Sequence, residues 1–273
     1  MYSFLLNKFA NSIWAMRPDR LETMTNVLLN KFNNIEEYNK SLNLTQLKDK
    51  DENVASVRRE GTTAILQIEG VMVPKCSWLD SMCGFVSTID LNNKFNELIE
   101  DNSVDRIINY FDTPGGEVTG ILEFAETVFQ ARNKKEIITY TDTDMCSAGY
   151  WVGSASSKLV TTPSSCIGSI GTYLGILKYE TTTDPHTGDQ YKMHFFQAGD
   201  NKLFGSPYTD ITEQEKAYLQ DIVNLNQDKF NEAVSRYRGV SEQQVIDTQA
   251  SHYQAADAPS WLYDVLADIN YLF

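Results

Sequence analysis

The apolar positions fall into short runs of period two or none, separated by stretches of helical period, and this alternation repeats along the middle of the chain. Thr63-Ala64-Ile65-Leu66-Gln67-Ile68 reads as a buried strand ended by Glu69-Gly70, and Asp105 to Phe111 as a second. Ile137-Ile138-Thr139-Tyr140-Thr141 is a third, with further strand candidates at 158–161, 168–173 and 191–196. Between them Leu91–Glu100 and Val118–Ala131 carry apolar residues at helical spacing. A long helix is predicted over Ile211–Arg238, entered through Thr212-Glu213-Gln214-Glu215, which reads as a capping box. Strands that alternate with helices pair in parallel through crossovers, so the class is α/β.

The ends of the chain read differently. Leu21, Met24, Val27, Leu28 and Phe32 fall at helical spacing and precede the polar run Lys48 to Asn53. We therefore expect an N-terminal helical extension and linker over 1–53, a catalytic-type domain over 54–240 and a tail of short helices over 241–273. Residues 75–88 read as an exposed loop bearing apolar side chains.

Composition narrows the function. A net charge of −14 disfavours a protein that grips nucleic-acid backbones or an anionic membrane. Cys76, Cys83, Cys146 and Cys166 are too few for a disulfide scaffold and form no metal-type pair, which fits reduced thiols in a cytosolic setting. Lys8 and Asn11 interrupt the apolar opening, so no leader peptide or membrane anchor is expected there.

Two turns carry candidate chemistry. Met145-Cys146-Ser147-Ala148-Gly149-Tyr150-Trp151 follows a strand and opens a helix, where first-turn N–H groups favour an anion. Ser147 is a candidate nucleophile there, although serine is also a common helix cap. Thr113-Pro114-Gly115-Gly116 joins another strand to a helix and offers backbone N–H groups unobstructed by side chains. A serine nucleophile needs a base, and His186, His194 and His252 stand in no site-building motif. Lys202 is the alternative; a lysine works as a base near neutral pH only when apolar surroundings pull it down from about 10.4.

Taken in order, Thr113-Pro114-Gly115-Gly116, Cys146 to Trp151, Ile167-Gly168-Ser169-Ile170-Gly171, Gly199-Asp200-Asn201-Lys202 and Ser206-Pro207 resemble the signal peptide peptidase A family of serine–lysine proteases. The resemblance covers roughly residues 60–235 and implies the spiral of ββα units shared with Clp protease and the crotonases. It implies a Ser147–Lys202 dyad, Ser169 orienting the lysine, and an oxyanion hole from the N–H groups of Gly115, Gly116 and Ala148. Ala148 stands where the family usually has glycine, and the family's closing Gly-Leu-Val-Asp strand is not evident. The segment Ser12 to Pro18 resembles the bacteriophage capsid-assembly, protease C-type branch. The implied protein is a homo-oligomeric prohead protease of the host cytoplasm, cleaving scaffold or portal-associated proteins without cofactor or metal. Two rival readings stay open: a non-catalytic phage structural protein that keeps the fold, and a crotonase-type acyl-CoA enzyme. A Clp-type Ser-His-Asp protease is disfavoured by the histidine positions.

Overall fold

The computed structural model describes residues 12–19, 56–76, 80–81, 84–178, 182–183, 190–191 and 194–273. The expected N-terminal helix, the linker at 48–53 and His186 lie outside the described residues. The chain forms strands β1 (Ile13–Met16), β2 (Val57–Glu60), β3 (Thr63–Glu69), β4 (Val71–Val73) and β5 (Phe85–Ser87), then helix α1 (Thr88–Glu100). Next come β6 (Arg106–Asp112), β7 (Gly115–Glu117), α2 (Ile121–Ala131), β8 (Glu136–Thr141), β9 (Asp144–Cys146) and α3 (Ala148–Gly153). They are followed by β10 (Lys158–Thr161), β11 (Cys166–Gly168), β12 (Tyr173–Leu174), the pair β13 (Thr182–Thr183) and β14 (Gln190–Tyr191), and α4 (Glu213–Arg238). The chain closes through α5 (Glu242–Ile246), β15 (His252–Gln254), β16 (Val265–Leu266) and short 3-10 turns.

Successive units place their first strand in one sheet and their second in another layer. β3, β6, β8 and β10 form the parallel centre of a six-stranded sheet in the order β16-β10-β8-β6-β3-β2, with β2 antiparallel at one edge. β4 and β7 enter a five-stranded sheet, β12-β1-β7-β4-β5, while β9 and β11 pair in a third. This is the expected ββα spiral. The central strands are buried on both faces, so they read as near-continuous apolar runs. On one side lie α1 and α2, where Phe95 meets Phe124 edge to face at 5.9 Å. On the other, Ile65, Ile108, Ile138 and Val160 cluster with Leu272 from the chain's last turn.

The ends of α4 follow their local chemistry. The Thr212 side chain accepts the Glu215 N–H, Gly239 closes the helix in the left-handed region, and Arg236 and Arg238 complement the dipole in the last turn. Only half of the expected capping box forms, because the Glu215 carboxylate turns away to accept the Gly205 N–H at 2.7 Å and to meet Lys178 at 3.3 Å.

Five expectations change, two of them in mid-chain: Phe85–Ser87, within the loop expected over 75–88, is the largely buried strand β5, and residues 169–172 of the strand expected over 168–173 are irregular. Ile13–Met16 is a strand inside the five-stranded sheet, not part of a helix. The closing residues add strands as well as short helices: β15 pairs with β11, β16 with β10, and the Arg238 guanidinium grips both Asp264 oxygens. Residues 194–197 are not a strand.

Candidate active site

Ser147 sits between β9 and α3 with φ 55° and ψ −116°, a conformation that costs a non-glycine residue about 1–3 kcal/mol. Its N–H donates to the Gly168 carbonyl at 2.8 Å and its carbonyl accepts the Trp151 N–H at 2.8 Å. Its hydroxyl makes no cap for α3; Oγ donates to the Gly171 carbonyl at 3.3 Å. The capping reading of this serine therefore does not hold. α3 has only six residues, so the local N–H groups matter here rather than a long helix dipole.

The small residues after Ser147 permit close packing. A methyl group on Gly149 would lie 2.3 Å from Thr113 Cγ2, and one on Gly153 would lie 2.4 Å from Met145 Sδ. Trp151 stacks on Phe230 of α4 with ring centroids 4.2 Å apart and planes at 6°. Substitution there would shift the turn that bears Ser147 through packing alone.

The Thr113–Gly116 turn is stitched to the strand that carries Ser147. Thr113 N–H donates to Asp144 O at 2.7 Å, Cys146 N–H donates to Thr113 O at 3.1 Å, and Thr113 Oγ1 donates to Gly70 O at 2.6 Å. Gly115 has φ +114°, and a methyl group on it would lie 2.2 Å from Ala15 O and 3.0 Å from Ser147 Cβ. The Gly115 N–H donates to Thr113 Oγ1 at 3.2 Å. Gly116 supplies the turn's other N–H, and Ala148 opens α3, where N–H groups have no intrahelical acceptor.

Ser169 lies on the loop that wraps Ser147. It is buried, has φ 55°, and stands between Gly168 and Gly171, both of which bond Ser147. Ser147, Ser169, Gly115, Gly116 and Ala148 are thus brought together. Lys202 is not among them. It is exposed and lines a cavity of about 480 Å³ with Leu174, Leu203, Phe204, Tyr218 and Ile222, whose walls do not include Ser147. The Glu215 carboxylate fixes Gly205 on the same loop.

Other candidate groups can be placed. Cys146 precedes Ser147, but its contact with the Cys166 thiol at 3.5 Å and its burial push its pKa up and hold it protonated. His194 is exposed and lies in an irregular stretch. His252 pairs with Gly168, which brings its backbone beside the Ser147 loop, while the residue itself is exposed. Arg17 is the neighbour that the motifs missed: its guanidinium reaches Cys166 Sγ at 3.3 Å and Asp144 at 3.5 Å. Only its place in the Trp-Ala-Met-Arg-Pro segment singled it out.

Among the described residues no helix is long and apolar enough to cross a membrane. Residues 130–264 match the model of peptidase family S49. The chain is 27% identical to the capsid assembly protease C of Escherichia phage lambda over 195 residues, covering 71% of this chain and 44% of that protein. It is 22% identical to the head-tail preconnector protein GP5 of Enterobacteria phage P21, covering 70% of this chain and 38% of that protein. It therefore spans less than half the length of either relative. Among solved structures, a membrane-bound stomatin-specific protease superposes with a TM-score of 0.44 at 16% identity, over 79% of this chain and 80% of that one.

Proposed function

We propose, from the match of residues 130–264 to the model of peptidase family S49, that the chain is a serine endopeptidase using Ser147 as nucleophile and Lys202 as general base. The supporting observation is the state of Ser147: a strained, buried serine whose hydroxyl caps nothing, beside a glycine turn held to its own strand. In this reading Ser147 Oγ attacks the substrate carbonyl while its proton passes to the neutral Lys202 amine. The oxyanion is held by the N–H groups of Gly116 and Ala148, and Gly115 leaves room for the reacting chain. The lysine then protonates the leaving amine, and water attack on the acyl-serine repeats the cycle. Ser169 orients the amine from the wrapping loop.

Lys202 has to reach Ser147, and the proposal assigns this to assembly. The first half of α4 buries only Glu215, while its second half buries Phe230, Ala233, Val234 and Tyr237. Tyr218 and Leu225, seven residues apart, are exposed along the under-covered part, and Ile211 is exposed just before the helix begins. A neighbouring copy packed there in a ring would cover this stripe and bring a lysine-bearing loop to a serine.

Similarity to a capsid assembly protease and a head-tail preconnector protein of phages supports the proposed role, a maturation protease that cuts scaffold or portal-associated protein inside the prohead, in the host cytoplasm. Confinement within a ring or shell would keep such a simple site from general proteolysis. Incubation of the purified chain with the head proteins encoded beside it, read by mass spectrometry against a Ser147→Ala control, tests this. We expect discrete scaffold or portal-protein fragments with wild type and none with the variant. Intact head proteins alongside an enzyme that hydrolyses other peptides would remove the proposed role.

A further inference from the structure

Strand β1 runs directly beside Gly115 and Gly116. It runs antiparallel to β7 on one edge, pairing Ala15 with Gly116 and Met16 with Gly115, and antiparallel to β12 on the other. Val118 N–H donates to Ile13 O at 3.0 Å and Arg17 N–H to Pro114 O at 3.1 Å. The two-residue repeat of an antiparallel ladder makes Ala15 and Gly116 the hydrogen-bonding pair between them. The Ala15 carbonyl thereby faces the same Gly116 N–H that the mechanism assigns to the oxyanion.

The nucleophile is at the same spot. Ala15 O, Met16 Cα and Ser147 Cβ all lie within 3.0 Å of the point where a Gly115 methyl group would sit. Ser147 has no exposed surface, and neither does Ala15. Without β1, the edges of β7 and β12 would face each other across one strand's width, about 9–10 Å, a slot that an extended peptide fills by pairing on both sides. The segment is also anchored downstream, where Arg17 meets Asp144 on the strand leading to Ser147 and Asp19 at 2.9 Å.

We propose that strand β1 is a tethered substrate mimic: it fills the peptide groove with the Ala15–Met16 bond at Ser147, and an incoming substrate must displace it. Its sequence also reports what the groove accepts. A small residue sits opposite Gly116, flanked by the large apolar Trp14 and Met16, which are themselves buried. This rests on Ser147 being a peptidase nucleophile.

The test uses the full chain and a peptide boronate ending in Trp-Ala. Hydrogen exchange should show the amides of residues 13–17 becoming at least tenfold faster once the boronate is on Ser147. A second arm uses Ala15→Arg, whose side chain has no space opposite Gly116. This variant should hydrolyse a Trp-Ala reporter peptide at least tenfold faster than wild type. A boronate bonded to Ser147 while residues 13–17 stay fully protected would overturn the proposal, and that arm needs no variant to fold. A folded Ala15→Arg chain no faster than wild type would count equally against it. If neither protein reacts at Ser147 and neither hydrolyses the reporter, the peptidase assignment itself fails and this inference falls with it.

Discussion

Ser147→Ala and Lys202→Ala should each lower peptide hydrolysis by at least about 10⁴-fold, and the double variant should be no worse than either alone. Groups that act as one unit are not additive: a hydroxyl without its base and a base without its hydroxyl both leave only background binding. A factor of 10⁴ corresponds to about 5.5 kcal/mol of transition-state stabilisation. The two variants also ask where the lysine comes from, since Lys202 lines a cavity that excludes Ser147. If neighbouring copies complete each other, mixing inactive Ser147→Ala and Lys202→Ala chains should restore a measurable fraction of wild-type rate. No recovery in a verified mixed oligomer would place both groups in one chain. Substantial turnover by Lys202→Ala that is lost in Lys202→Ala/His252→Ala would move the base to His252, whose strand pairs with the Ser147 loop.

Gly115→Ala is the second large effect. With φ +114° the position lies in the region that only glycine enters without strain. The added methyl would meet Ala15 O at 2.2 Å, Met16 Cα at 2.9 Å and Ser147 Cβ at 3.0 Å. Two of these are backbone atoms of β1, whose place a substrate would take with its own backbone, so in either state the turn must shift, and it would carry Gly116 N–H away from the oxyanion position. Loss of one such donor costs about 10²–10³ in kcat. We expect a folded protein with kcat reduced by at least about 10²-fold and KM much less affected. Circular dichroism would confirm the fold, and an unchanged kcat would show that the turn does not shape the site.

The central layers were legible because their sequence needs no partner to be read. β3, β6 and β8 are apolar on both faces, and the glycine turn and Ser147 announce themselves by residue type next to a strand. α4 was legible from its capping threonine and its length. What could not be read is pairing between distant segments. Ile13–Met16 is four residues long, and nothing local tells that it lies beside Gly115 and Tyr173. Its apolar residues fit a helix as well as a strand until the sheet supplies both edges. The tail failed for the same reason: Val265 and Leu266 become a strand only because β10 offers an edge. Glu215 shows a third limit, since its spacing from Thr212 predicts a cap and the loop bearing Gly205 draws its carboxylate away.

The central claim is that Ser147 is the nucleophile, and reaction with a fluorophosphonate probe tests it most directly. The full chain would be incubated with the probe and mapped by peptide mass spectrometry while residual hydrolysis of a reporter peptide is followed. The account predicts a single adduct on Ser147, with hydrolysis lost in proportion to labelling. An adduct confined to another serine, or full hydrolysis with Ser147 quantitatively modified, would contradict it.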